Sequence, residues 1–216
     1  MRSVRCLPIF HLVPLLVLWK CRGFFNGCGK MRQLVEIASE LQAVCDSKRW
    51  QSCVIGGLAV QRWGEPRLTR DVDVSLLTGF GTESVYIEAL LALYQGRVTD
   101  PAEFALRNRV LLLQKGGIGI DIALAAIPFE ERVLARSTTY EFLPGVGIRT
   151  CSAEDLIVYK AFADRPRDWI DVEGVLLRQQ GRLDLELVFA ELTPLADAKE
   201  SPEIVRRLRS LTDLMA

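Results

Sequence analysis

The sequence predicts an α+β protein: a small sheet flanked by helices, then a C-terminal helical part. Three observations carry this. The stretch Cys53–Leu77, CVIGGLAVQRWGEPRLTRDVDVSLL, reads as an apolar strand, a Gly-Gly turn, a short helix and a second strand. Two further apolar runs, Val110–Leu113 and Ile118–Leu124, meet at Gln114-Lys115-Gly116-Gly117, the composition of a hairpin turn. Beyond Pro144 the pattern changes to helices.

Taken in order, residues 1–30 read as a leader or an extension foreign to the fold and without order of its own, with Met31 as the natural start. The apolar run Leu7–Trp19 is too short for a membrane span, Pro8, His11 and Pro14 interrupt it, and Lys20-Cys21-Arg22 follows where a secretory cleavage site needs small residues. From Met31, Leu34, Ile37, Ala38, Leu41, Val44 and Cys45 recur at helical spacing, predicting an amphipathic helix over 31–47 that packs on the sheet. Ser52–Ile55 is then the first strand, Leu58–Trp63 a helix and Thr69–Leu77 the second strand. Gly79 and Gly81 break the chain before a helix over Glu83–Gln95, with Val85, Leu90, Leu91 and Leu93 as its apolar surface. Ser152 followed by Asp155 starts a helix reaching Arg165, Pro166 starts another that runs to Gln180 and is stopped by Gly181, and helices over Leu183–Leu192 and Pro202–Met215 complete the chain. The expected organisation is 1–30 leader, 31–150 core and 151–216 helical subdomain.

Composition narrows the chemistry. Lys plus Arg equals Asp plus Glu at 27 each, so there is no global attraction to nucleic acid and any such partner would be met locally. Arg206, Arg207 and Arg209 on the last helix read as a solvated face, with a nucleic-acid contact as the sharper alternative. The six cysteines form no C-x-x-C pair, and those after residue 30 fit the buried thiols of a reducing, cytoplasmic setting. His11 is the single histidine and lies in the leader, which removes Ser-His-Asp and Cys-His catalysis and histidine metal sites from the body of the chain. Carboxylates, a lysine, arginines and a metal remain.

Strand alternation puts Asp71 and Asp73 on one face and Val72, Val74 and Leu76 on the other, with the two carboxylates about 6–7 Å apart. Paired anionic oxygens suit a hard cation such as Mg²⁺ that shares its ligands with substrate phosphates. Gly56 and Gly57 stand where a strand turns into a helix, so backbone N–H groups can approach a phosphate closely. Asp121 shares a strand face with Gly119 and Ala123 only; if its strand lies beside the Asp71/Asp73 strand, it completes a carboxylate triad. A solvated edge and a tight corner are the bland readings of the same residues.

Gly56-Gly57, then Arg67-x-Thr69-x-Asp71-x-Asp73, then Asp121 on a later strand resembles the DNA polymerase β-type nucleotidyltransferase fold, a small mixed sheet flanked by helices. Ser152-Ala-Glu-Asp155-Leu-Ile, Lys160, Arg165-Pro-Arg167-Asp168 and Asp171 resemble the AbiEii-type nucleotidyltransferases of bacterial toxin–antitoxin systems. The resemblance covers roughly Gln51–Leu177. It implies Mg²⁺ or Mn²⁺ on Asp71 and Asp73, with Asp121 as a third and less uniform carboxylate, and a nucleoside triphosphate along Gly56 and Gly57. It further implies that Lys160 with Asp168 or Asp171 completes the site from the helical half. Arg67 and Arg70 bracket the acids, either to contact phosphate or to balance their charge. The implied reaction is in-line attack of an acceptor hydroxyl on the α-phosphate, the acceptor being tRNA or protein, with a cognate antitoxin as a further expected partner and no membrane. Two alternatives stay open: a small-molecule, antibiotic-type nucleotidyltransferase, against which Thr-Arg-Asp-Val-Asp in place of a Gly-Ser and Ser-Asp-x-Asp pattern argues mildly, and a non-catalytic nucleotide-sensing or partner-binding module.

Overall fold

A computed structural model describes residues 25–215. The expected leader lies outside the described residues up to residue 24; from Phe25 the chain is already helical, in α1 (Phe25–Ser47). Leu34, Ile37, Ala38, Leu41 and Cys45 are buried along its inner face, as their spacing demands.

The next elements are β1 (Ser52–Val54), α2 (Gly56–Trp63), β2 (Asp71–Leu77), α3 (Glu83–Leu91), β3 (Gln95–Gly96) and α4 (Pro101–Asn108). They are followed by β4 (Val110–Lys115), β5 (Ile118–Ala125), α5 (Pro128–Arg136), β6 (Thr138–Leu143) and β7 (Val146–Thr150). Helices α6 (Ala153–Ala163), α7 (Pro166–Arg178), α8 (Leu185–Ala198) and α9 (Glu203–Met215) close the chain. The strands form one mixed sheet in the order β3-β4-β5-β2-β1-β7-β6. β1 pairs antiparallel to β2 and parallel to β7, while β2 and β5 run parallel. The β4–β5 hairpin turns at Gly116 and Gly117, whose φ values of +57° and +78° are those a two-residue type I′ turn requires.

The sheet carries a core on each face. On one, Val72, Val74 and Leu76 join Ile118, Ile120, Ile122 and Leu124 beneath α1 and α3. On the other, Cys53, Ala59, Val60, Phe129 and Val133 pack with Leu156, Trp169, Val172 and Leu192 of the helical half. Cys45, Cys53 and Cys151 are free and buried, as the cysteine pattern suggested.

Several expectations need correction. The change to helices comes after Thr150, because Val146–Thr150 extends the sheet as β7. α3 stops at Leu91, with Ile87 and Leu90 as its buried residues, while Val85 and Leu93 are 64% and 54% exposed. On α9, by contrast, Arg206, Arg207 and Arg209 are exposed, as a solvated face requires, with the Arg207 guanidinium over the Trp169 ring at 4.3 Å and that of Arg209 over the Phe189 ring at 4.6 Å. Among the described residues, no helix is long and apolar enough to cross a membrane.

Charge ties α5, α6 and α8 together. Arg136 meets Asp155 at 2.6 Å and Glu191 at 2.9 Å, and Arg132 meets Glu191 at 2.5 Å. Asp155 is 1% exposed, so removing the guanidinium that faces it leaves a buried carboxylate without its partner. Arg136→Ala should therefore cost on the order of 3 kcal/mol, a fall of roughly 10 °C in melting temperature for a chain of this size. Calorimetry of that variant and of Arg136→Ala/Asp155→Asn checks it: the double variant should recover part of the loss, since its buried group carries no charge.

Candidate active site

β1 ends where Gly56 takes φ +59° and α2 begins. Two constraints demand glycine here. The left-handed φ is one. The other is space: a Cβ on Gly56 would lie 2.1 Å from Asp73 Oδ2, and a Cβ on Gly57 would lie 2.1 Å from Thr69 Oγ1. The Gly57 N–H donates to Asp73 Oδ2 at 3.1 Å. The Gly-Gly turn is thus shaped first of all by Asp73 and Thr69, and the Gly57 N–H expected on a phosphate is engaged by Asp73.

β2 and β5 align residue for residue, Asp71 with Gly119 and Asp73 with Asp121. Side chains of paired residues share a face, so the three carboxylates stand on one side of the sheet. Gly119 makes this possible, because a Cβ there would sit 2.2 Å from Asp71 Oδ1. Among the described residues the three do not converge as a preformed metal cluster, nor does any other trio of acidic, cysteine or histidine side chains. Two of the carboxylates are already engaged: Asp121 pairs with Arg97, and Asp73 accepts from the Gly57 N–H.

Electrostatics single out Asp73. Burial pushes its carboxyl up to about 6; the Gly57 hydrogen bond and the Lys160 charge oppose the rise, and Asp121 and Asp71 add to it. Burial raises Asp121 as well, with Asp71 contributing, while Arg97 holds it down.

The helical residues form a separate network beside this row. Lys160 on α6 reaches Asp168 Oδ1 at 2.7 Å and Asp171 Oδ2 at 3.0 Å, both carboxylates on α7. Arg67 meets Asp171 through two hydrogen bonds, Nε to Oδ1 at 2.5 Å and Nη2 to Oδ2 at 2.6 Å. Burial alone would raise Asp171, but the hydrogen bonds from Arg67 and Lys160 outweigh it and hold the carboxyl below its ordinary value. Asp168 and Asp171 are therefore counter-ions that orient Lys160 and Arg67. Arg67 is bound to the Asp171 carboxylate and also feels the charge of Asp73. Arg70 is exposed at the start of β2, without an ion-pair partner among the described residues. Thr69 Oγ1 donates to the Asp71 carbonyl at 3.4 Å.

Arg97 is the residue that the sequence did not reveal. It lies after β3, 24 positions from Asp121, with no pattern linking the two.

The sheet, the Gly-Gly turn and the appended helices together define the polymerase β-type nucleotidyltransferase fold. Two structures of the antibiotic-resistance factor ANT(2'')-Ia share it. The solution structure of the antibiotic-resistance factor ANT(2'')-Ia is 20% identical, with a TM-score of 0.53, over 82% of this chain and 98% of that one. A crystal structure of ANT(2'')-Ia with adenylyl-2''-tobramycin is 18% identical, with a TM-score of 0.51, over 76% of this chain and 98% of that one. An antigenic nucleotidyltransferase-like protein from Paracoccidioides brasiliensis is 15% identical, with a TM-score of 0.48, over 82% of this chain and 92% of that one. No protein-family model matches the chain, and no curated protein does.

Asp73 has a thermodynamic signature. Its carboxyl sits at about 6 in the fold against 3.8 ordinarily, so the folded state holds the proton more tightly than the unfolded chain. That contribution is complete below pH 3.8 and is lost as pH rises through about 6. Asp73→Asn, which keeps an acceptor for the Gly57 N–H, should melt several degrees above the parent at pH 8 in chelator, and the gap should close toward pH 4. Melting curves across that range check it.

Proposed function

We propose that this chain is a metal-dependent nucleotidyltransferase that moves a nucleoside monophosphate from a nucleoside triphosphate to a hydroxyl of a small-molecule acceptor. The observation that carries the reading is the pairing of Asp73 with Asp121, beside Asp71 and beneath the Gly-Gly turn, on this fold. Three hard oxygen donors on one face, one of them raised by burial with the charge of the other two adding to it, suit Mg²⁺ or Mn²⁺ and not a soft metal. Asp71, Asp73 and Asp121 would hold the cation. When bound, it neutralises triphosphate charge and polarises the reacting oxygens.

The chain's own residues do the rest. Gly56 and Gly57 keep the floor of the site free of side chains, so phosphates can approach the acids closely. Lys160, 12% exposed and oriented by Asp168 and Asp171, places positive charge behind Asp73. Arg70, exposed and without an ion-pair partner among the described residues, is free to meet phosphate.

The small-molecule acceptor is supported by the likeness to ANT(2'')-Ia, one of whose structures holds an adenylylated aminoglycoside, over nearly the whole of that chain. The tRNA or protein acceptor, the antitoxin and the AbiEii-type assignment rest on motif resemblance, with no separate support in the fold. Purified protein with Mg²⁺ and each of four α-labelled ribonucleoside triphosphates, offered aminoglycosides and other polyhydroxylic small molecules, should label the small-molecule fraction. Asp73→Ala should lower the transfer at least about a hundredfold, the scale of removing an electrostatic stabiliser from a transition state. Label in added RNA or protein instead would return the acceptor to the macromolecular class. No transfer to any acceptor would leave a nucleotide-sensing or partner-binding module.

A further inference from the structure

We propose that Arg97 is a built-in counter-cation of the acidic row: it holds Asp121 until a divalent cation binds, and the cation must displace it to gain that ligand. This rests on the reading of the row as a metal site.

Sheet geometry puts Arg97 in line with the acids. The Arg97 N–H donates to the Leu112 carbonyl at 2.9 Å, extending the β3–β4 ladder by one step. Leu112 faces Asp121 across β4 and β5, and Asp121 faces Asp73 across β5 and β2. From the end of that row the guanidinium reaches back over Leu112 to pair with Asp121. Its Nη1 lies 3.0 Å from where a Cβ on Gly119 would stand, and Asp71 Oδ1 lies 2.2 Å from the same point. One arginine thus sits over the gap between two of the three carboxylates, in space that exists because residue 119 has no side chain.

The attachment suits displacement. The backbone is anchored by a ladder hydrogen bond, whereas the ion pair is partly exposed, at 30% and 33% for the two side chains. Pairs of that exposure are weak and screened by water, and a divalent ion competes with them readily. The Lys160–Asp168–Asp171 network differs: its side chains are 12%, 8% and 2% exposed, so it is a fixed structural group.

A purely structural staple between the sheet edge and β5 predicts the opposite consequence of removing the arginine. Losing a staple loosens the site and weakens cation binding. Losing a competitor strengthens it. The probe is Mn²⁺ alone, titrated calorimetrically into the full chain without nucleotide. Arg97→Gln should bind Mn²⁺ on the order of tenfold more tightly, the scale expected for removing one unit charge from contact with a partly exposed carboxylate. Arg97→Met, which keeps the stem, carries the same expectation if the amide variant folds poorly, and Arg97→Lys should stay near the parent. In an Asp121→Asn background, Arg97→Gln should bring no tightening. Unchanged or weaker binding in both neutral variants overturns the proposal while leaving the metal site intact. A parent chain that binds no Mn²⁺ removes the metal reading, and the counter-cation role with it.

Discussion

Parallel pairing of β2 with β5 over seven consecutive residues, from Asp71 opposite Gly119 to Leu77 opposite Ala125, is the constraint on which the rest depends. A shift of one residue would reverse every side chain. Val72, Val74 and Leu76 would leave the core they share with Ile120, Ile122 and Leu124, and the carboxylates would enter it. The apolar face therefore fixes the register, and the register delivers Asp71, Asp73 and Asp121 to a common surface. The price is electrostatic: burial and like charge push Asp73 up to about 6. Lys160 and the Gly57 hydrogen bond moderate the rise at Asp73, and Arg97 does so at Asp121.

The helical half is more than an appendage. The Trp63 indole N–H donates to the Cys151 carbonyl at 2.9 Å, Gln179 Nε2 to the Trp63 carbonyl at 2.8 Å, and Arg178 Nη1 to the Gly64 carbonyl at 2.5 Å. Helix α2, which opens at the Gly-Gly turn, is thereby held between the sheet and α7. Arg67 extends the clamp by joining the segment before β2 to Asp171. The geometry of a turn only two residues wide is thus maintained by helices more than a hundred positions away in the chain.

Much of this was legible in the chain. The inner face of α1, the hairpin at Gly116-Gly117, the alternation of β2 and the Ser152 cap, whose hydroxyl accepts the Asp155 N–H at 3.0 Å, are local patterns with local causes. α4 and α5 were missed although each begins with proline at its first turn, because both are short and bury few residues. β6 and β7 were missed because β6 is a largely exposed edge strand, where apolar alternation is not required. Val85 and Leu93 were assigned to the wrong side of α3 because a nine-residue helix with apolar residues all round carries no decisive stripe.

By itself the sequence narrowed which residues could do chemistry: with His11 as its single histidine, it pointed to acids, a lysine and arginines, and it placed Asp71 and Asp73 on one face because strand side chains alternate. It also marked Gly56 and Gly57 as a turn. Only the tertiary structure decided that Asp121 stands opposite Asp73, that Gly119 makes room for Asp71, that Asp168 and Asp171 serve Lys160 and Arg67, and that Arg97 closes the row. The physical reason is range: periodicity and turn chemistry act over a few residues, whereas strand register and ion pairing join groups that only a packed core brings within reach of each other.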